Sequence, residues 1–297
     1  TLVKEGNQPV CVRAEASVNI FFGDGKTEAW KEIRGSFNGT EGTGTGTGTG
    51  TDSSRNSIIA DAGSEVTYTL NIRNQVEKGI ENLVIVDRLP ALKANGLVNN
   101  MQRNSGFKVS FPDSPAIEVR IRKASGQMVR LKDGDYNVTF ADWNTKFGKG
   151  SALPARYWEP DSASDWESSA AGRDTFRIEV ENDALKGLTN NDTVIVTFSA
   201  LPPKASELDL SNEPVAWNTF GYAYRAVNST NKSTITVEPA KVGVRIPTAS
   251  LAVTKKIESR FEEDKAQAFT FRLEKEDGAN TGKWVSAGGQ PISRYWP

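Results

Sequence analysis

The sequence predicts an all-β protein: an antiparallel β-sandwich with large loop insertions, followed by part of a second sandwich. Three observations carry that expectation. Apolar and polar residues alternate with a period of two along much of the chain, helical spacing is scarce, and each alternating run is short and closed by Gly, Asn, Asp or Pro. Many short strands with few helices point to sheets packed face to face.

The elements follow in chain order. Val66, Tyr68, Leu70 and Ile72 alternate with Thr67, Thr69, Asn71 and Arg73, the pattern of a half-buried strand. The same pattern returns in Ile117-Val119-Ile121, Phe176-Ile178-Val180, Val194-Val196-Phe198, Val242-Val244-Ile246 and Phe269-Phe271-Leu273. Pro90 to Leu97 and Asp183 to Leu188 allow a short helix each at most. Residues 39–52 are almost entirely glycine and threonine, which predicts a flexible surface loop whose deletion changes stability little. A second irregular stretch, Asp142 to Arg173, holds Trp143, Tyr157, Trp158 and Trp166 among small and acidic residues, and reads as a folded-back lid or a binding loop. Prolines flank the run that ends at Ile246-Pro247-Thr248, which places a domain boundary there and divides the chain into 1–247 and 248–297.

Composition narrows the function. The chain has 297 residues and a net charge of −1, so no global field favours nucleic acid or an anionic membrane. It contains no histidine, which removes the commonest general base and the commonest zinc ligand and lowers the expectation of an enzyme. The single cysteine, Cys11, permits no intrachain disulfide. Gln8 before it and Gln75 and Gln102 after it do not form a thioester motif, so it reads as a small buried residue or a plain thiol. No apolar run of about 18 residues is present, so no direct membrane insertion is expected. The chain also lacks a signal-peptide pattern and ends at Tyr295-Trp296-Pro297, as expected of an excised piece whose export and anchoring signals lie elsewhere. Lys132-Asp133-Gly134-Asp135 and Gly23-Asp24-Gly25 lack the spacing of a calcium loop and read as hairpin turns, so no metal and no cofactor are expected.

Two segments resemble known families. Ala62-Gly63-Ser64-Glu65-Val66-Thr67-Tyr68-Thr69-Leu70-Asn71-Ile72-Arg73-Asn74, then Leu83-Val84-Ile85-Val86-Asp87-Arg88-Leu89-Pro90, resembles the fimbrial isopeptide-formation and related DUF11-like domains of bacterial surface proteins. Ala216-Trp217-Asn218-Thr219-Phe220-Gly221-Tyr222 takes the place of their closing strand, and residues 91–190 look like an insertion. Leu251-Ala252-Val253-Thr254-Lys255-Lys256-Ile257 with Ala268-Phe269-Thr270-Phe271-Arg272-Leu273 is similar to the opening strands of a Cna-B-type domain. Together they imply an Ig-like, CnaA-like sandwich in a Gram-positive pilin or wall-anchored adhesin, located outside the cell.

The resemblance also implies an autocatalytic Lys–Asn isopeptide bond. A lysine buried in an apolar core loses its proton, and its amine attacks a side-chain amide while a buried acid shuttles the proton. By motif position Asn218 is the candidate amide, Asp87 the acid and Lys31, in Trp30-Lys31-Glu32-Ile33, the lysine. The plainer alternative leaves Asp87 in a solvent-facing turn, Asn218 on an edge strand and Lys31 on the surface. Lys255 lacks an amide partner within the chain.

The leading expectation is therefore a non-catalytic adhesin or pilin segment. Its partners would be a surface protein or glycan of a host or partner cell, bound through Trp143, Tyr157, Trp158 and Trp166, or other pilus subunits. One alternative is a structural spacer with no ligand. Another is a carbohydrate-binding module or carbohydrate-active enzyme, because Glu159, Asp161, Asp165 and Glu167 lie among Trp158 and Trp166.

Overall fold

The computed structural model describes residues 3–5, 8–10, 26–46, 56–98, 100–148, 150–204, 207–208, 214–227, 234–247 and 261. Cys11, Gly23 to Gly25, residues 47–52, Lys255 and the run Phe269 to Leu273 lie outside them. Two compact units are present, Thr1–Ala249 and Ser250–Pro297, and Phe261 alone represents the second.

Among the described residues the regular secondary structure of the first unit is nearly all strand. In chain order the strands are β1 (Val3–Glu5), β2 (Gln8–Val10), β3 (Thr27–Phe37), β4 (Thr40–Gly46), β5 (Ser57–Ile59), β6 (Val66–Asn74), β7 (Ile80–Arg88), β8 (Glu118–Arg122), β9 (Met128–Arg130), β10 (Tyr136–Ala141), β11 (Thr175–Val180), β12 (Thr193–Ala200), β13 (Val215–Ala226), β14 (Ile235–Val237) and β15 (Val242–Arg245). The helices are short: α1 (Trp143–Phe147), α2 (Asn182–Leu185) and a 3-10 turn at Ala155–Trp158. Pro90 to Leu97 forms turns instead of the short helix that its spacing allows.

Two sheets make the sandwich, and β1 and β2 pair as a separate ribbon. One sheet runs β4-β3-β6-β12-β8-β9. The other runs β10-β11-β7-β13-β15-β5, with β14 also paired to β13. All pairings are antiparallel except β15 with β5. Inward residues from both sheets, among them Ile33, Tyr68, Leu70, Ile85, Val196, Phe198, Phe220 and Val244, form one continuous core. Their spacing of two along each strand follows from the pleat, which sends alternate side chains to opposite faces. Tyr68 stacks on Phe198 at 5.3 Å, and Phe198 meets Phe176 edge-on at 4.9 Å, tying the two sheets together.

Strand β7 departs from simple alternation because both of its faces are covered. Leu83 and Ile85 face the sandwich core, whereas Val84 and Val86 face a second apolar cluster beneath α1 and the 3-10 turn. A strand buried on both sides reads as the unbroken run Leu83-Val84-Ile85-Val86. The segment expected as an insertion over 91–190 supplies β8, β10 and β11, and β11 hydrogen-bonds directly to β7. It is therefore partly integral to both sheets.

The loop expected over 39–52 is corrected over its first half. Asn38 and Gly39, at φ 50° and 76°, form a two-residue turn, and Phe37 pairs with Thr40 across it. Asn-Gly is the favoured sequence for such a hairpin, because both residues must take positive φ. Thr40–Gly46 then runs as β4 against β3. Its glycines serve packing: a side-chain carbon at Gly46 would lie 2.7 Å from the Lys241 carbonyl oxygen. The turn expected at Lys132 to Asp135 forms, with the Asp135 amide donating to the Lys132 carbonyl, but it links β9 in one sheet to β10 in the other and is not a hairpin.

Candidate functional site

The interior of the sandwich contains a charged cluster. Lys31 lies on β3 between Ala29 and Ile33, at a position where the pleat directs the side chain inward. Asp87 follows Leu83 and Ile85 on the core face of β7, and Asn218 lies on β13 two residues before Phe220. All three are fully buried, at 0% exposure, so the alternative of surface and turn positions does not hold. The registers place them: Lys31 pairs with Leu70, Asp87 with Phe220 and Asn218 with Val242.

Lys31 Nζ donates a hydrogen bond to Asp87 Oδ2. The rings of Tyr68, Phe198 and Phe220 surround the ammonium, with centroids at 4.8, 5.5 and 6.0 Å. Asn218 Nδ2 and Asp87 Oδ1 have no hydrogen bond of full geometry among the described residues. The amide nevertheless lies close enough to the carboxyl to favour its charged form. Nearby, Arg103 donates to Asn218 Oδ1 over 3.5 Å.

Burial governs the protonation states. Desolvation brings the Lys31 amine down to about 8, against the opposing pull of Asp87. The same desolvation raises the Asp87 carboxyl, although Lys31, Asn218 and Arg103 act to lower it. Both shifts favour the neutral pair, an amine beside a protonated acid. An amine, a proton carrier and a primary amide, all fully buried, are the parts that an amide-exchange reaction requires.

Arg103 had no signal in the sequence. It follows Met101 and Gln102 in an irregular segment without periodicity, and only the chain path from β7 to β8 carries its side chain under the sheet. Asn74, at the end of the β6 motif, has a structural role: it accepts from the Val76 amide and donates to the Val76 and Thr189 carbonyls, closing the end of the sandwich.

The four aromatics expected to form a contact surface are buried. Trp143, Tyr157, Trp158 and Trp166 are exposed by 0, 1, 4 and 7%. They pack with Phe147 and Leu97 against Val84 and Val86, as a second small core on the outer face of β7. Arg88 lies over the Trp143 ring at 4.7 Å. The reason is area: an apolar strand face cannot stay wet, and large rings cover it at little entropy cost. Truncating Trp143 to alanine should cost about 3–5 kcal/mol in chemical denaturation. It should leave the cluster around Lys31 unchanged.

The acidic residues of the same region are engaged locally. Glu159 accepts from Arg225 and Thr234, Asp165 from Tyr157 and Lys146, and Glu167 from Arg173. A cleft of about 430 Å³ is lined by Thr27, Arg103, Thr219, Tyr222 and Lys241, among others. Thr27 and Tyr222 bond each other there, and Lys241 donates to the Arg103 carbonyl and lies over Trp217.

No protein-family model matches the sequence, and no curated protein matches it. Solved structures do align. The full-length major pilin SpaD of Corynebacterium diphtheriae is 12% identical, with a TM-score of 0.38 over 88% of this chain and 40% of that one. A 35 kDa C-terminal fragment of the Streptococcus agalactiae major pilin is 10% identical, with a TM-score of 0.40 over 74% and 56%. The Bacillus cereus major pilin BcpA is 8% identical, with a TM-score of 0.39 over 74% and 40%. The chain spans about half the length of these structures or less. At such identities and TM-scores the likenesses decide nothing about function, which rests on the site itself.

Proposed function

We propose that this chain is a segment of a Gram-positive cell-surface pilin or adhesin, and that an isopeptide bond between Lys31 and Asn218 clamps its sandwich. The observation that carries the reading is the full burial, in one sandwich, of a lysine ringed by aromatics, an acid and an amide from three strands in two sheets. A buried ion pair is by itself weak evidence of stability, because desolvation offsets its attraction. The same three groups gain a purpose as reactants. The amine of Lys31 attacks Cγ of Asn218, a proton passes by way of Asp87 to Nδ2, and ammonia leaves. The cross-link would supply the covalent restraint that a chain with a single cysteine cannot obtain from an internal disulfide.

The role is mechanical. Burial of Trp143, Tyr157, Trp158 and Trp166 favours a stalk over a ligand-binding tip, and the local pairing of Glu159, Asp165 and Glu167 gives no support to a sugar site. Neighbouring subunits of a surface fibre are the expected partners.

Intact-mass spectrometry tests the bond. Loss of ammonia lowers the mass by about 17 Da relative to the sequence. In a synthesis time course, the rate should rise with pH towards about 8 and level off above it, because only the free amine of Lys31 attacks. A mass equal to that of the unmodified chain rejects the cross-link.

A further inference from the structure

Arg103 is an anomaly in this core. Its side chain reaches from the irregular segment between β7 and β8 into the interior, where 3% of the residue is exposed. Guanidinium keeps its charge in almost any protein environment, so burial here needs a reason. Two of its contacts are structural: Nη1 donates to the Arg88 carbonyl at 2.7 Å, and Nη2 to the Leu89 carbonyl at 3.1 Å. These two bonds fix the plane of the group at the end of β7. The third contact is of another kind, because Nη1 also points at Asn218 Oδ1, the oxygen of the candidate amide, over 3.5 Å.

We propose that Arg103 is a catalytic residue of the cross-linking reaction, holding the Asn218 carbonyl oxygen as negative charge develops on it. The inference rests on the isopeptide reading above and divides its chemistry between two groups. Lys31 Nζ bonds to Cγ, and the carbonyl π pair moves onto Oδ1. Protonated Asp87 gives its proton to Nδ2 and takes up the one that Nζ gives up, so the acid is regenerated. The Cγ–Nδ2 bond then breaks, the oxygen pair restores the carbonyl, and one amide and one ammonia result. Asp87 bonds to the amine and is placed to carry the proton, whereas Arg103 is placed to hold the oxyanion. A donor that is long in the ground state and shortens as the oxygen becomes charged stabilises the transition state selectively. The positive charge also helps keep Lys31 unprotonated, since Arg103 lowers the pKa of that amine.

The test compares the full chain with its Arg103→Gln and Arg103→Lys variants in a cell-free synthesis time course, quenched in denaturant and read by intact mass. Circular dichroism of each purified protein checks folding. Arg103→Gln should be folded and should lose ammonia about 10²-fold more slowly, the usual cost of one oxyanion donor. Its pH midpoint should also move upward, because the charge of Arg103 lowers the pKa of the amine, whereas in Arg103→Lys, which keeps the charge, the midpoint should stay and only the rate fall. Arg103→Lys keeps the charge but cannot hold both backbone carbonyls and Oδ1, and should also be slowed, by up to about 10²-fold, the cost of a misplaced group. It carries the test if Arg103→Gln does not fold. Folded variants that react at the wild-type rate overturn the assignment. A wild-type chain that loses no ammonia removes the cross-link itself, and the role of Arg103 with it.

Discussion

Asn218→Ala is expected to melt about 10–15 °C below the wild type and to retain the unmodified mass. The size follows from chain entropy. Closing a loop of about 100 residues is worth about 4.7 kcal/mol in the unfolded state, and the Lys31–Asn218 loop is longer. For a domain of this size each kcal/mol moves the midpoint by about 2–4 °C. The substitution leaves Lys31 paired with Asp87. The fold should therefore survive, and the loss reports the cross-link with a small contribution from truncating one buried amide. Differential scanning calorimetry and intact mass on the same sample provide the check. A variant that melts within about 2 °C of the wild type would mean that no long loop is closed in the parent.

Asp87→Ala should be less stable still. It blocks proton transfer, so the bond does not form, and it leaves the Lys31 amine at 0% exposure without its partner. Breaking a buried pair from one side costs about 3–5 kcal/mol, in addition to the lost cross-link. The pH dependence has a definite sign. Burial already holds Lys31 at about 8, with Asp87 pulling upward, so removing Asp87 lowers it further. Between that value and the unfolded value of about 10.4, the unfolded chain binds more protons than the folded one. Stability of Asp87→Ala should therefore climb as pH rises through this window, and less steeply in Asn218→Ala, which retains the carboxyl. Urea midpoints at several pH values measure the slope. An Asp87→Ala protein that is light by about 17 Da, or that melts above Asn218→Ala, contradicts the role of the acid.

Legibility varied with the kind of residue. The alternating runs at Val66–Asn74 and in β11, β12 and β15 became strands, because period-two burial is a local property of the pleat. The glycine–threonine composition points to a loop, but the Asn38-Gly39 turn folds its first half back as a strand against β3. The aromatics of residues 143–166 misled for a different reason. A tryptophan in an irregular segment looks the same whether it covers a ligand or a strand, and only the unbroken apolar run of β7 hinted at a second buried face.

By itself, the sequence determined the fold class and most of the strands, and it pointed to the three residues proposed to react, since alternation and motif position are written along the chain. It could not determine that Lys31, Asp87 and Asn218 are buried together in one sandwich, because that depends on the registers of β3, β7 and β13 in two different sheets. Nor could it place Arg103, whose side chain reaches the Asn218 oxygen only after an aperiodic segment folds back under β7. Desolvation and donor geometry are properties of the assembled interior, so the tertiary structure alone decided that these groups meet in a buried space where an amine gives up its proton more readily.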